Sequence, residues 1–457
     1  MKPPSLAFAP LDDAPRIARL FPAFRDFVDD ALFHPTWGYY STGQVRFGEG
    51  GHYDTFPLAL SPLFGRMLAQ YAYRAWRRAG EPGIFEICEL GAGNGQLCLD
   101  VLIACSDATR DARRRRFAAA LRYRIVERSP ALIDRQRQHL GPLAARVRWT
   151  EADLSRRATR TVRFGAHGIV FANEVLDCLA HHKIVPQPDG RVGVVFVVPL
   201  LTGRAPSRSV HVVPGLAARE RAIPRSELHR VFHNERLRHC VQFTEIILPL
   251  ATVAGLRPFL RRHCPEFFYP GRGYPPYFAC PAIETLVRNT GRLYGACDVL
   301  WIDYGENRGF HLTTPERRRV FAGPPRSGAS VYRAPGLDDI TFMVDFSIVR
   351  AAAERAGLTV EFYGGQCELA RRSGVRLDRA ARELMLRYRT LAWMLSVTGI
   401  GPERAWRHTG LTWNQRGGAG GRLRDDVARG VAEFLGRRPT HFKLMILRRT
   451  AGDERRA

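Results

Sequence analysis

What constrains this chain most is residues 84–95, where the apolar run Ile84-Phe85-Glu86-Ile87-Cys88-Glu89-Leu90 leads without a spacer into Gly91-Ala92-Gly93-Asn94-Gly95. The run reads as a buried strand and the segment after Gly95 as the start of a helix. A strand, a glycine turn and a helix in that order let the backbone approach a ligand closely. Glycine has no Cβ to keep the ligand away, and the helix N–H groups face it. A dinucleotide site needs the spacing G-x-G-x-x-G, whereas Gly91, Gly93 and Gly95 alternate. Glu89, just before the turn, suits an amine-bearing cation better than a pyrophosphate. On the glycines alone, a purely structural turn stays open.

Further apolar runs follow at 123–127 and 168–173, and sheet-like sequence returns at 299–304 and 441–447. Strands separated by helical stretches argue for βαβ units and a parallel sheet. Upstream, residues 15–80 read as helical, with the stripe Ile17, Leu20, Phe24, Phe27, Val28, Ala31 and Leu32 interrupted by a turn-rich stretch at 34–53. Residues 106–116 are polar and Arg-rich and read as a surface excursion. Residues 203–290 are rich in Arg and Pro without a period. The expected fold is therefore α/β, a Rossmann-like sheet with a helical N-terminal region and a large inserted lobe. The expected divisions are 1–80 (N-terminal helices), 81–185 (first part of the core), 186–295 (inserted substrate or lid lobe) and 296–450 (second part, with C-terminal helices and the last strand).

A chain of 457 residues exceeds what one core usually serves, and 45% hydrophobic with 25% charged residues is a globular composition. Apolar stretches such as 193–201 are too short to span a bilayer, so no membrane helix is expected. Residues 1–6 lack a basic-then-apolar leader pattern and Asp12 and Asp13 disfavour a transit peptide, which makes the cytoplasm the expected location. The nine cysteines show no C-x-x-C pair and are expected to be reduced thiols. The net charge is +25, yet all but three of the 69 cationic residues are Arg, and the run 113–116 has no interleaved aromatics of the kind that stack bases. A solvated face is favoured over nucleic acid, and an acidic partner stays open. His229 and His233 stand at i, i+4, with His239-Cys240 and His263-Cys264 in the same region, but tight cysteine spacing is missing and no metal is expected.

Other carboxylates stand where strands end. Glu127 closes the second strand, where an acid binds ribose hydroxyls in Rossmann-like sites. Asp153, after the third strand and before Leu154, is placed to accept an adenine amino group, with a solvated loop as the equal alternative. Asn173, Glu174 and Asp177 follow the next strand at the carboxyl edge of the sheet, and a helix-capping turn is the alternative there. Asp303-Tyr304 ends a later strand and either faces an acceptor or caps a turn. His34, Gly38, Tyr39 and Tyr40 form a turn that either closes over a ligand or packs as an aromatic corner. Asp338, Asp339 and Asp345 follow a Pro-Gly turn and read as capping residues.

Seven segments in order resemble the MidA-like methyltransferases: 31–40 (Ala-Leu-Phe-His-Pro-Thr-Trp-Gly-Tyr-Tyr), 61–65 (Ser-Pro-Leu-Phe-Gly), the glycine loop, 125–132, 172–177 (Ala-Asn-Glu-Val-Leu-Asp), 302–305 and 334–346. The similarity runs from about residue 20 to the 442–444 strand, most of 186–290 excepted. It implies a class I methyltransferase sheet, S-adenosyl-L-methionine as cofactor, and a protein substrate methylated on arginine. The resemblance implies cofactor binding by Glu89, Gly91, Ala92, Gly93, Asn94, Gly95, Glu127, Arg128, Asp153, Leu154 and Asn173, and catalysis by Glu174, Asn173, Asp177 and Asp303. A guanidinium is always protonated in water, so an arginine acceptor needs a carboxylate to orient it and take its proton, a role that falls first to Glu174. Two positions depart from the family pattern: Leu58 stands where an acid is usual, and Ala180 where a proline follows the Asn-Glu-x-x-Asp motif. These departures bear on the acceptor. A catalytically silent SAM-binding assembly factor and a small-molecule methyltransferase stay open beside the protein methyltransferase. The oligomeric state is not encoded in any of these patterns.

Overall fold

The computed structural model describes residues 12–43, 45, 55–106, 111–157, 163–201, 221–234, 238, 240–271, 273–322, 330–380, 382–383, 386, 431–432, 434–435, 437 and 441–450. The chain forms two compact units, one of residues 46–175, 285–305 and 350–457 and one of residues 1–45, 176–284 and 306–349.

Among the described residues the first unit is built on seven strands, numbered within it: β1 (Phe85–Leu90), β2 (Leu121–Glu127), β3 (Val147–Glu151), β4 (Gly165–Asn173), β5 (Tyr294–Glu306), β6 (Thr359–Gly365) and β7 (Phe442–Arg449). They lie in the order β6-β7-β5-β4-β1-β2-β3. The pairs β1–β2, β2–β3, β1–β4 and β4–β5 are parallel, and β7 runs antiparallel to both neighbours. From β1 the chain steps outward through β2 and β3, then returns to the other side of β1 as β4. This reversal opens a crevice at the carboxyl ends of β1 and β4, where open α/β sheets bind ligands. The Rossmann-like class I sheet expected from the sequence is the sheet observed.

Side chains from several helices cover the strands, among them α1 (Leu63–Arg78), α2 (Gln96–Ser106), α3 (Ala112–Ala120) and α4 (Pro130–Leu140). Phe64, Met67, Leu68 and Trp76 of α1 join Leu97, Cys98 and Val101 of α2 and Ile87, Ile125, Ile169 and Leu300 of the sheet in one buried cluster. Each such side chain contributes about 1.5–3 kcal/mol on leaving water. Ser129 starts α4 by accepting the Leu132 N–H at 3.3 Å, Pro130 presets its first turn, and Gly141 ends it at φ 52°. The Arg-rich stretch read as an excursion turns helical at Ala112. Asp111 caps it through the N–H groups of Arg113 and Arg114, and it buries only Phe117 and Ala120. The cap supplies the start signal that the weak periodicity hid, while 107–110 lie outside the described residues.

In the second unit an antiparallel sheet has Arg221–Ala222, Val192–Leu201, His182–Pro186 and Tyr277–Ala279 in that order, with Val241–Pro249 also paired to Val192–Leu201. Val192–Leu201 is buried at every position. The helix Phe24–Phe33 buries Phe24, Phe27, Val28, Ala31 and Leu32, and just before it Pro22 O accepts the Val197 N–H at 2.9 Å. The N-terminal helices therefore cluster with the sheet of the stretch read as an insertion, whereas Leu63–Arg78 belongs to the first unit. Periodicity reveals an apolar stripe but not the sheet that covers it. A part of the expected lobe (202–220) and much of the expected C-terminal helices (387–430) lie outside the described residues. Among the described residues no helix is long and apolar enough to cross a membrane.

α1 comes close to α2 at Gly65, where an added Cβ would fall on the Asp100 side chain and within 2.9 Å of its carbonyl carbon. Gly65→Ala should therefore destabilise the chain by about 1–3 kcal/mol, the usual cost of overpacking. Thermal unfolding should show a melting temperature lower by several degrees. An unchanged melting temperature would mean that the helices are not this close.

Candidate functional site

The glycine turn is built from left-handed backbone. Gly91, Gly93 and Gly95 have φ of 62°, 55° and 86°, a region other residues enter only at a cost. Gly91 N–H bonds Val126 O at 3.0 Å, Gly95 N–H bonds Ala92 O at 2.8 Å, and Asn94 Oδ1 accepts the Gln96 N–H at 3.0 Å, turning the chain from β1 into α2. A Cβ on Gly91 would stand 3.1 Å from Val175 Cγ2, so the exit of β4 lies directly against the loop.

That exit is strained. Glu174 has φ 52°, and a non-glycine residue held there costs on the order of 1 kcal/mol or more. Its N–H bonds Ile302 O of β5 at 2.9 Å, and its Oε1 accepts Asn173 Nδ2 at 2.8 Å. The remaining amide atom, Asn173 Oδ1, is buried without a partner among the described residues. A buried acceptor left without a partner is costly, so a donor from a ligand would fit here.

The carboxylates of β1 and β2 are buried beside the turn. Glu89 accepts the Tyr123 hydroxyl at 2.7 Å, and burial pushes it up to about 7 against that bond, with the Glu127 charge adding to the rise. Glu127 Oε1 accepts the N–H groups of Arg128 at 2.8 Å and Ser129 at 3.0 Å, and its Oε2 accepts Gln136 Nε2 at 3.1 Å. Burial raises Glu127 as well, while the Ser129 N–H and the Gln136 amide favour its ionised form. Asp153 lies two residues past β3. It accepts Ser155 N–H and Oγ through Oδ1 and Arg156 Nε through Oδ2, and Arg128 Nε stands 3.4 Å away. Leu154 is buried and its carbonyl accepts Asn289 Nδ2 at 2.9 Å.

Behind the turn, Gln96 gives Nε2 to Asp100 Oδ1 at 2.8 Å and meets His139 Nε2 through Oε1 at 2.9 Å, while Ser61 Oγ donates to Asp100 Oδ2. Burial pushes Asp100 up to about 7 against these donors. The segment 61–65 thus supports the first turn of α2. Asp303 is buried in β5, where its Oδ1 accepts the Tyr304 N–H at 2.9 Å.

Asp177 belongs to the other unit, where it is buried and its carbonyl accepts the Phe342 N–H at 2.9 Å. The segments 31–40 and 334–346 meet in that unit: the Tyr40 hydroxyl reaches both Asp339 oxygens at 3.0 Å, and a Cβ on Gly336 would run into Trp37. Asp345 accepts the Ser347 N–H at 2.9 Å at the start of the helix Phe346–Arg355. His229 and His233 fall on the short helix Leu228–His233, and among the described residues no group of three or more His, Cys, Asp or Glu could hold a metal. His239 lies outside the described residues.

The structure thus brings Glu89, Gly91, Ala92, Gly93, Asn94, Gly95, Glu127, Asn173 and Glu174 together at the carboxyl edge of β1, β2 and β4. Sequence reasoning missed Tyr123, the Ser61–Gln96–Asp100 network, and Gln136 with the Trp149 Nε1 donor that its Oε1 accepts at 3.1 Å. The start signal Ser129-Pro130 sets the phase of α4, which could have pointed to Gln136; the others carry no local signal. Left-handed glycines, buried acids and an orphaned amide oxygen fit a ligand with a cationic amine and a ribose.

The model of the family described as "Putative S-adenosyl-L-methionine-dependent methyltransferase" matches residues 67–364, well over half of the chain. Among individual proteins, the mitochondrial protein arginine methyltransferase NDUFAF7 of Xenopus tropicalis is 29% identical over 178 residues, 36% of this chain and 40% of that protein. Its homologue in Drosophila melanogaster is 33% identical over 113 residues, 25% of this chain and 24% of that protein. The chain thus matches less than half the length of either relative. A Burkholderia thailandensis protein crystallised with S-adenosyl-homocysteine shares the fold, with a TM-score of 0.59 and 22% identity over 97% of this chain and 95% of that one. The chain therefore belongs to the MidA-like family of S-adenosyl-L-methionine-dependent methyltransferases.

Proposed function

We propose that this chain transfers the methyl group of S-adenosylmethionine to a protein side chain, with an arginine guanidinium as the acceptor. The observation that carries this reading is the strained exit of β4, where Glu174 is held at φ 52° with its carboxylate fixed by Asn173, directly beside the glycine turn. Strain of this kind persists where the surroundings enforce it, and clusters at functional sites. The names of the Xenopus and Drosophila relatives, both protein arginine methyltransferases, support a guanidinium acceptor. An excess of 69 cationic over 44 anionic residues favours an acidic protein partner.

The bound cofactor supplies an electrophilic methyl group on a sulfonium. The protein's work is then to position donor and acceptor in a dry pocket. In this proposal Glu127 accepts the ribose hydroxyls, Glu89 and the Gly91–Gly95 backbone face the amino-acid end, and Arg128, Asp153 and Leu154 border the adenine end. Asn173 Oδ1 takes a donor from the ligand. Glu174 orients the guanidinium and accepts its proton, and Asp303 offers a second buried carboxylate three residues before the end of β5. Asp177 receives no step.

Incubating the purified chain with methyl-labelled S-adenosylmethionine and a cell extract should label protein. Label in a metabolite, or no label at all, would overturn the proposal. Glu174→Gln keeps the shape and loses the charge. It should leave cofactor affinity nearly unchanged while lowering turnover by at least about a hundredfold, the scale for losing a general base. Full activity would assign Glu174 a structural role.

Cofactor binding should also depend on pH. With Glu89 raised to about 7, the free protein carries this proton at lower pH. An ammonium beside Glu89 favours the carboxylate, so binding expels the proton and weakens as the pH falls below 7. Calorimetry from pH 8 to pH 6 should show the Kd for S-adenosylhomocysteine rising by up to about tenfold. Glu89→Gln should flatten this dependence, and an equally steep profile in the variant would remove Glu89 from the amine.

A further inference from the structure

Gln136 lies on α4 between three parts of the site and is completely buried. Its Nε2 donates to Gly93 O at 3.1 Å and to Glu127 Oε2 at 3.1 Å, and its Oε1 accepts Trp149 Nε1 at 3.1 Å. The chemistry of the partners fixes the orientation of the amide. An indole only donates, whereas a carbonyl and a carboxylate only accept, so Oε1 must face Trp149 and the two amide hydrogens must face the loop and the acid. No other side chain of this length places two donors and one acceptor in that arrangement. The backbone follows the same contact: a Cβ on Gly95 would stand 3.5 Å from Gln136 Cα, Cβ and Cγ, so α4 backs the glycine turn at van der Waals distance.

We infer that Gln136 is a positioning residue that sets the distance between the glycine turn and the Glu127 carboxylate, and thereby the affinity for the ribose-bearing cofactor. The inference rests on the reading of this site as the S-adenosylmethionine pocket. Glu127 Oε1 already holds two backbone N–H groups at the start of α4. The bond from Gln136 steadies Oε2, the oxygen left for a ribose hydroxyl. Because the same nitrogen holds Gly93 O, turn and acid are held by one group. Trp149 keeps that group from rotating.

The test is calorimetric titration of the full chain with S-adenosylhomocysteine, in the parent, Gln136→Met, Glu127→Gln and the double variant. Gln136→Met has similar length and no polar group. It should bind roughly 10- to 100-fold more weakly, the scale for removing a hydrogen bond to a charged group. If Gln136 acts through Glu127, the double variant should bind about as weakly as Glu127→Gln alone; independent roles would add. Gln136→Glu should be weaker than Gln136→Met, because it sets a second carboxylate against Glu127 and Gly93 O. Parental affinity in Gln136→Met, or losses that add in the double variant, would overturn the inference. If Gln136→Met does not fold, Trp149→Phe serves in its place, since it removes only the indole N–H that holds the amide. About threefold or greater weakening, not additive with Glu127→Gln, supports the inference, and unchanged affinity overturns it. A parent that binds no S-adenosylhomocysteine would instead overturn the reading of the pocket itself, which separates the two failures.

Discussion

The site depends on the close approach of two strand ends. β1 and β4 are adjacent and parallel, with Leu90 paired to Ala172, so the chain leaves both strands at the same edge. Gly91 has no side chain, and Val175 Cγ2 takes up that space. This contact lets the turn after β1 and the strained exit after β4 share one crevice. A side chain at Gly91 would meet both a positive φ and a close neighbour, and would separate the turn from Asn173 and Glu174.

Burial of acids is the second constraint. Glu89, Glu127 and Asp100 all lie under or beside the turn, and burial raises all three, Glu89 and Asp100 to about 7. Each has donors that favour its ionised form: the Tyr123 hydroxyl for Glu89, backbone N–H groups and Gln136 for Glu127, Ser61 and Gln96 for Asp100. Buried polar groups are tolerated when such partners exist. In Glu89 and Glu127 the raised values leave acids whose ionised form a cationic, hydroxyl-bearing ligand would favour further. Asp100 instead joins α2 to the segment 61–65 and to Gln96, which ties the turn to the core.

The parts of this fold legible in the sequence were those that depend on local pattern. A buried run followed by alternating glycines announced β1 and its turn, and acids at strand ends made Glu127 and, with the family motif, Glu174 the candidates to examine. The long antiparallel sheet with Val192–Leu201 at its centre was partly visible as an apolar run, but its pairing with Val241–Pro249 joins residues far apart, and no local period records it. The helix Phe24–Phe33 showed its stripe and concealed its partner for the same reason. Gln136 was missed because its meaning lies in what Gly93, Glu127 and Trp149 present to it in space. The strain at Glu174 is a property of the backbone, which the residue type does not announce.

If the crevice between β1 and β4 holds S-adenosylmethionine, the purified full chain must bind it. The most direct measurement is a calorimetric titration of the purified full chain with S-adenosylmethionine and S-adenosylhomocysteine, accompanied by thermal unfolding at the same ligand concentrations. A ligand that binds only the folded state adds about 2.7 kcal/mol of stability at a hundredfold excess over its Kd. Both compounds should bind saturably at a single site and raise the melting temperature to match. No heat of binding and no shift with either compound at millimolar concentration would contradict this reading of the crevice.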